Sequence, residues 1–188
     1  MAQDVVELIL KTSEGKEESM QALYNILYDD LKKMAHRIKF DWRQSHTLNA
    51  TALVHESYLK ILSNRRLTPL NRLHFYRLCG RAMRYVLHDY LEKKNADKRN
   101  VELTEINGYE QFVNFESDVN VDNLETVLHG LKQLENEDQV LSQVVECRFF
   151  SDMTIGETAE VMGISQATVK RKWSFARAYL SKSIKKSA

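Results

Sequence analysis

A chain of 188 residues with 43% hydrophobic content and a formal net charge of +1 has apolar mass for ordinary cores, in one large domain or two small ones. One proline, six glycines and few β-branched runs point to an all-α protein. No stretch approaches the ~18 apolar residues of a membrane span, so insertion into a bilayer is not expected.

The N-terminal run MAQDVVELILKTSEGKEE lacks a basic leader and a small-residue cleavage site, and is not expected to be a signal peptide. Met20, Leu23, Ile26, Leu27, Leu31, Met34 and Ile38 keep a helical stripe. Polar residues 45–50 interrupt it. A second helix is expected over 51–62, with Leu53, Leu59 and Leu62 inward and Val54, Tyr58 and Ile61 beside them. Residues 63–71, SNRRLTPLN, read as a loop with the only proline. A long helix follows over 73–94, carrying Phe75, Leu78, Ala82, Tyr85, Val86 and Leu91.

Charge then segregates sharply. Residues 71–99 hold eight basic and three acidic side chains, whereas 100–125 hold seven acidic and no basic ones. The acidic stretch has no sustained periodicity and reads as a linker, placed at 98–121 between units at 1–97 and 122–188. Its scattered Val101, Ile106, Tyr109, Phe112 and Phe115 could dock onto a neighbour. Two basic blocks around an acidic connector suggest two contacts with one polyanion.

In the second unit, Leu124, Val127, Leu128, Leu131 and Leu134 mark one helix. Asn136 with Gln139 is expected to cap the next, which carries Val140, Leu141, Val144, Val145 and Phe149. Thr154 and Glu157 have capping-box spacing. Gly163 suits the left-handed position that ends a helix. Ser165 is a good N-cap for a final helix with the apolar stripe Val169, Trp173, Ala176 and Leu180. From 165 to 186 there are seven basic residues and no acidic one. A short helix, a tight turn and a second helix with a basic, polar open face make a helix-turn-helix suited to the major groove.

Other chemistry finds little footing. Six histidines are scattered, and His55-Glu56 is not followed by a histidine at zincin spacing. There is no Cys-x-x-Cys, no glycine-rich phosphate loop and no Gly-x-Ser-x-Gly. An enzyme, a metal site and a cofactor are therefore not expected. Cys79 and Cys147 sit apart in apolar helical context, as buried free thiols of a reducing compartment would.

The run ECRFFSDMTIGETAEVMGISQATVKRKWSFARAYL resembles the fourth conserved region of bacterial sigma factors of the small extracytoplasmic-function (ECF) type. LYDDLKKMAHRIKF, HTLNATALVHESYLKIL and LHFYRLCGRAMRYVLHDYLEKKNADKR resemble region two of a subgroup of that type. The resemblance implies two small helical domains, region two and region four, joined by the acidic linker. It also implies a cytoplasmic, non-enzymatic protein that binds core RNA polymerase through the β-prime and β subunits. Such a protein directs polymerase to promoter DNA and helps to open it. Many relatives are held by an anti-sigma factor, and nothing in the sequence identifies one.

By position, Leu53, Val54, Glu56 and Tyr58 match the family's core-polymerase-binding pattern, with Ala52 where many members have aspartate. Arg65, Arg66, His74, Tyr76, Arg81, Arg84, His88, Lys93 and Lys94 fall in the part that handles the −10 element. Phosphate tracking and base stacking there suit arginine, lysine and aromatic side chains. Phe75 and Tyr85 read better as core. On the last helix, Ser165, Gln166, Thr168, Lys170, Arg171, Lys172, Ser174, Phe175 and Arg177 are expected at the −35 element, with Lys172 and Arg177 on phosphates. Trp173 reads as core. The alternative is a conventional helix-turn-helix regulator that binds duplex DNA without polymerase.

Overall fold

The computed structural model describes residues 17–38, 48–63, 69–100 and 124–187, and their regular structure is helical throughout. Residues 1–16, Arg65 and Arg66, and residues 101–123, which hold most of the expected linker, lie outside the described residues. Three helices form the first unit: α1 (Glu17–Arg37), α2 (Ala50–Ser63) and α3 (Arg72–Asn100). The second contains α4 (Leu124–Glu137), α5 (Gln139–Val145), a π-helical turn over Glu146–Phe150, α6 (Ile155–Met162) and α7 (Gln166–Ser187). No helix among the described residues is long and apolar enough to cross a membrane.

Helix α2 lies against both α1 and α3. Its buried residues are Ala50, Leu53, Val54, Ser57, Tyr58 and Ile61, so two adjacent stripes are covered. Leu59 falls on the opposite side and is 57% exposed, contrary to the inward position expected from its hydrophobicity. Asn49 starts the helix by accepting a hydrogen bond from the Ala52 amide at 2.9 Å. In the second unit, α7 packs across α4 and α5, burying Leu131, Leu134, Leu141, Ala176 and Leu180. Each such leucine contributes roughly 1.5–3 kcal/mol by leaving water.

Two boundaries differ from expectation. Helix α3 continues to Asn100, because 95–100 (NADKRN) contains no breaker. Asn136 lies inside α4, and the N-cap of α5 is Asp138, whose carboxylate accepts from the Leu141 amide at 2.9 Å. Both cysteines are buried free thiols, as expected.

The two units share one hydrophobic cluster. Helix α3 supplies Phe75, Leu78, Cys79, Ala82, Met83 and Leu87 to it, while Leu124, Leu128 and Phe150 enter from the other unit. The contact is close enough to need a missing side chain. A Cβ at Gly80 would stand 2.1 Å from the Ser151 Oγ, 3.1 Å from the Ser151 amide nitrogen and 3.2 Å from the Phe150 carbonyl carbon.

Candidate nucleic-acid interface

The helix-turn-helix is assembled by local hydrogen bonds that its sequence specifies. The Thr154 hydroxyl accepts from the Glu157 amide at 3.2 Å, and the Glu157 carboxylate accepts from the Thr154 amide at 2.7 Å. The bond from the Thr154 amide is the leading cause that holds the Glu157 carboxyl below its ordinary pKa. Gly163 takes φ +63°, and the Ile164 and Gly163 amides return to the Ala159 and Glu160 carbonyls. This is the helix-ending geometry that glycine favours, because other side chains strain there. Ser165 then caps α7, accepting from the Thr168 amide at 3.1 Å. Val144, Ala159 and Val169 form the small core beneath the turn, with Trp173 packed against it. The Arg148 guanidinium lies 5.6 Å from the Trp173 ring centre, so Trp173 serves the core as the sequence suggested.

Helix α7 turns an open face outward. Gln166, Lys170, Arg171 and Ser174 are exposed along it, and Phe175 is 60% exposed. This spacing places polar and basic side chains on successive turns of one face, as a groove reader requires. Not every predicted contact residue is free to reach outward. The Ser165 and Thr168 hydroxyls are 2.9 Å apart and occupied with the cap. The Lys172 ammonium is 2.6 Å from Asp138, which ties α7 to the start of α5. That bond is the leading cause of the lowered Asp138 pKa. Arg177 is half-buried and its Nε has no hydrogen-bond partner.

The residues assigned by resemblance to the −10 element divide into four groups. Arg65 and Arg66 lie outside the described residues. His74 and Tyr76 hold the entry to α3. The His74 Nδ1 accepts from the Leu70 amide at 2.9 Å, while the Tyr76 hydroxyl donates to Asp30 at 2.6 Å and Arg72 donates to both. Burial lowers the His74 pKa and raises that of Tyr76 to about 12. Farther along α3, Lys93 is exposed, and Lys94 and His88 are half-buried.

Arg84 faces the second unit instead of solvent, and Arg81 beside it turns the same way with its side chain still 40% exposed. The Arg84 side chain is only 5% exposed, 2.7 Å from Glu135 and 3.0 Å from Glu146. Arg81 approaches Glu135 at 3.9 Å and donates to the Tyr85 hydroxyl. Tyr85 lies under both guanidiniums, its ring centre 4.6 Å from Arg84 and 5.6 Å from Arg81. A buried guanidinium beside two carboxylates stays charged, because neutralising it would leave both carboxylates unmatched. These partners were invisible in the sequence, although a glycine inside a long helix and a glutamate in the apolar run VVECRFF were both anomalies that could have signalled them.

On α2, Leu53, Val54 and Tyr58 point into the core, so Glu56 is the one exposed member of the four-residue docking pattern. Tyr58 stacks on Tyr24 with ring centres 4.1 Å apart and donates to Gln21 at 2.8 Å. The outer face instead offers His55, Glu56 and Leu59.

A family model described as ECF sigma factor matches residues 2–186. No curated protein matches the chain.

Proposed function

The chain belongs to the ECF sigma factor family, whose role is in transcription initiation, and on that premise we propose how its surfaces divide the work. The exposed face of α7 reads the −35 element in the major groove. Gln166, Arg171 and Ser174 reach base edges and Lys170 reaches phosphates. The entry of α3, with Arg65, Arg66, His74 and Tyr76, handles the −10 element, and Lys93 and Lys94 follow the backbone. Arg81 and Arg84 join that surface once the second unit has moved away. The outer face of α2 docks on core polymerase through Glu56, with Leu59 as the apolar anchor that an interface needs. The protein works in the cytoplasm, in complex with core polymerase and promoter DNA.

The observation that carries this reading is the outward row Gln166, Lys170, Arg171 and Ser174, held rigid by a fully capped helix-turn-helix. Its test is a pull-down of purified bacterial core polymerase, followed by run-off transcription across a library of genomic fragments. Binding with new, discrete start sites is the expected result. Tight duplex binding by the protein alone, without polymerase binding, would assign it to the conventional helix-turn-helix regulators instead.

A further inference from the structure

The outer face of α2 is apolar at its centre and polar at its sides. The helical period of about 100° per residue puts Ala52 and Leu59 on one strip, with His55 to one side and Glu56 to the other. His55, Glu56 and Leu59 are exposed there.

His55 is held from below by α1. The Tyr24 hydroxyl lies 3.2 Å from the His55 Nδ1. The Tyr24 ring centre is 6.0 Å from that of His55, and the Tyr28 ring centre is 5.8 Å from it, so two aromatic rings flank the imidazole. Tyr24 itself is only 4% exposed and stacks on Tyr58. A phenol so buried keeps its proton, and burial raises its pKa to about 12. It therefore donates to Nδ1. A neutral imidazole that accepts at Nδ1 carries its own proton at Nε2, on the far side of the ring.

Packing alone does not account for this tyrosine. A phenylalanine would fill the same space without the cost of burying a hydroxyl. The hydroxyl joins a buried side chain to an exposed one, and so fixes the rotamer and the tautomer of a surface group. A side chain ordered before association does not lose that freedom on association.

We infer that Tyr24 is a positioning residue for polymerase docking: it sets His55 so that the Nε2–H meets a hydrogen-bond acceptor on the partner, beside the apolar contact made by Leu59. That role rests on the reading of the outer face of α2 as the docking face. The partner surface it fits is apolar at its centre, with a carbonyl or carboxylate oxygen opposite His55 and a cation opposite Glu56.

The test is titrated capture of purified core polymerase by the full chain, unaltered and with Tyr24→Phe, His55→Ala and both changes together. Tyr24→Phe should weaken capture about five-fold, the contribution of one hydrogen bond, with little change in the melting curve. His55→Ala should weaken it about ten-fold, and the double change no more than His55→Ala alone. A merely structural Tyr24 would add its own loss to that of His55. The second readout is NMR of labelled histidine rings at about pH 8, above the ordinary imidazole range. The chain has six histidines, and the His55 signal is the one that His55→Ala removes. It should show the Nε2-protonated tautomer in the unaltered chain and a mixture of tautomers in Tyr24→Phe.

Normal capture by folded Tyr24→Phe, additive losses in the double change, or an unaltered tautomer in Tyr24→Phe would overturn the positioning role. If Tyr24→Phe does not fold, His55→Ala, made at an exposed site, decides alone: normal capture overturns the role, and weakened capture supports it. Failure of the docking reading looks different, because Leu59→Asp would then be captured as well as the unaltered chain. Loss of capture in Leu59→Asp with full capture of His55→Ala would overturn the role of Tyr24 and leave the docking face in place.

Discussion

Arg171 and Lys172 are neighbours in the chain with opposite circumstances. Arg171 is exposed on the open face of α7, whereas Lys172 is bonded to Asp138 within the unit. Arg171→Ala should therefore lose about 1–3 kcal/mol of promoter preference and relax selection inside the −35 element, read by competition among mutated promoters. Unaltered selection would remove Arg171 from base reading. Asp138 carries two structural duties, capping α5 and pairing with Lys172. Asp138→Ala should cost about 1 kcal/mol in denaturant unfolding, and Asp138→Asn less, since asparagine keeps the cap. The Asp138 pKa is depressed, chiefly by Lys172 and then by the Leu141 amide. Its contribution is thus present above the ordinary value of 3.8 and lost as pH falls through the lower folded-state value. Acid titration of the Asp138→Asn protein should lack that loss.

Among elements, the helix-turn-helix was fully legible in the sequence. Its caps act over three or four residues, so Thr154, Glu157, Gly163 and Ser165 announce their own bonds. A Cβ at Gly163 would meet nothing within 4 Å, so Gly163→Ala isolates the backbone cost. Thermal unfolding should show a loss of roughly 1–2 kcal/mol, the penalty of a left-handed residue with a side chain. Helix α2 was legible in extent but not in facing. Two covered stripes blur the helical period, so Leu59 looked like core, while the family resemblance alone put Val54 and Tyr58, which are buried, at the docking face. If Leu59 is a docking anchor, Leu59→Asp should leave the melting curve nearly unchanged and abolish capture of core polymerase. Normal capture would shift the docking face elsewhere on α2.

At the scale of the whole molecule, the sequence announced two basic blocks and said nothing of how they meet. Arg84 lies 51 residues from Glu135, and no local pattern links groups so far apart. Charge and the family resemblance suggested DNA as the partner of Arg84, yet in the folded chain two carboxylates take that place. Because one hydrophobic cluster spans both units, heat should unfold them together in a single calorimetric transition. Arg84→Ala strands Glu146 as an unpaired buried charge and should cost about 3–5 kcal/mol. If the units then separate first, the trace divides into two transitions. A single unshifted transition would mean that Glu146 finds another partner.

The π-turn gives this architecture a particular genetic slack. Its closing bond runs from the Ser151 amide to the Glu146 carbonyl at 3.0 Å, one residue wider than an α-helical bond. Losing a single codon between Glu146 and Phe150 would let the segment relax into regular helix, at no cost to backbone bonding. Deleting Arg148 or Phe149, both only half-buried, would turn that bond into an α-helical one and leave Ser151 on the Glu146 carbonyl, beside Gly80. Elsewhere in a packed helix the same loss would turn every downstream side chain by about 100°. In-frame deletions should thus be tolerated better inside this turn than in α3 or α7.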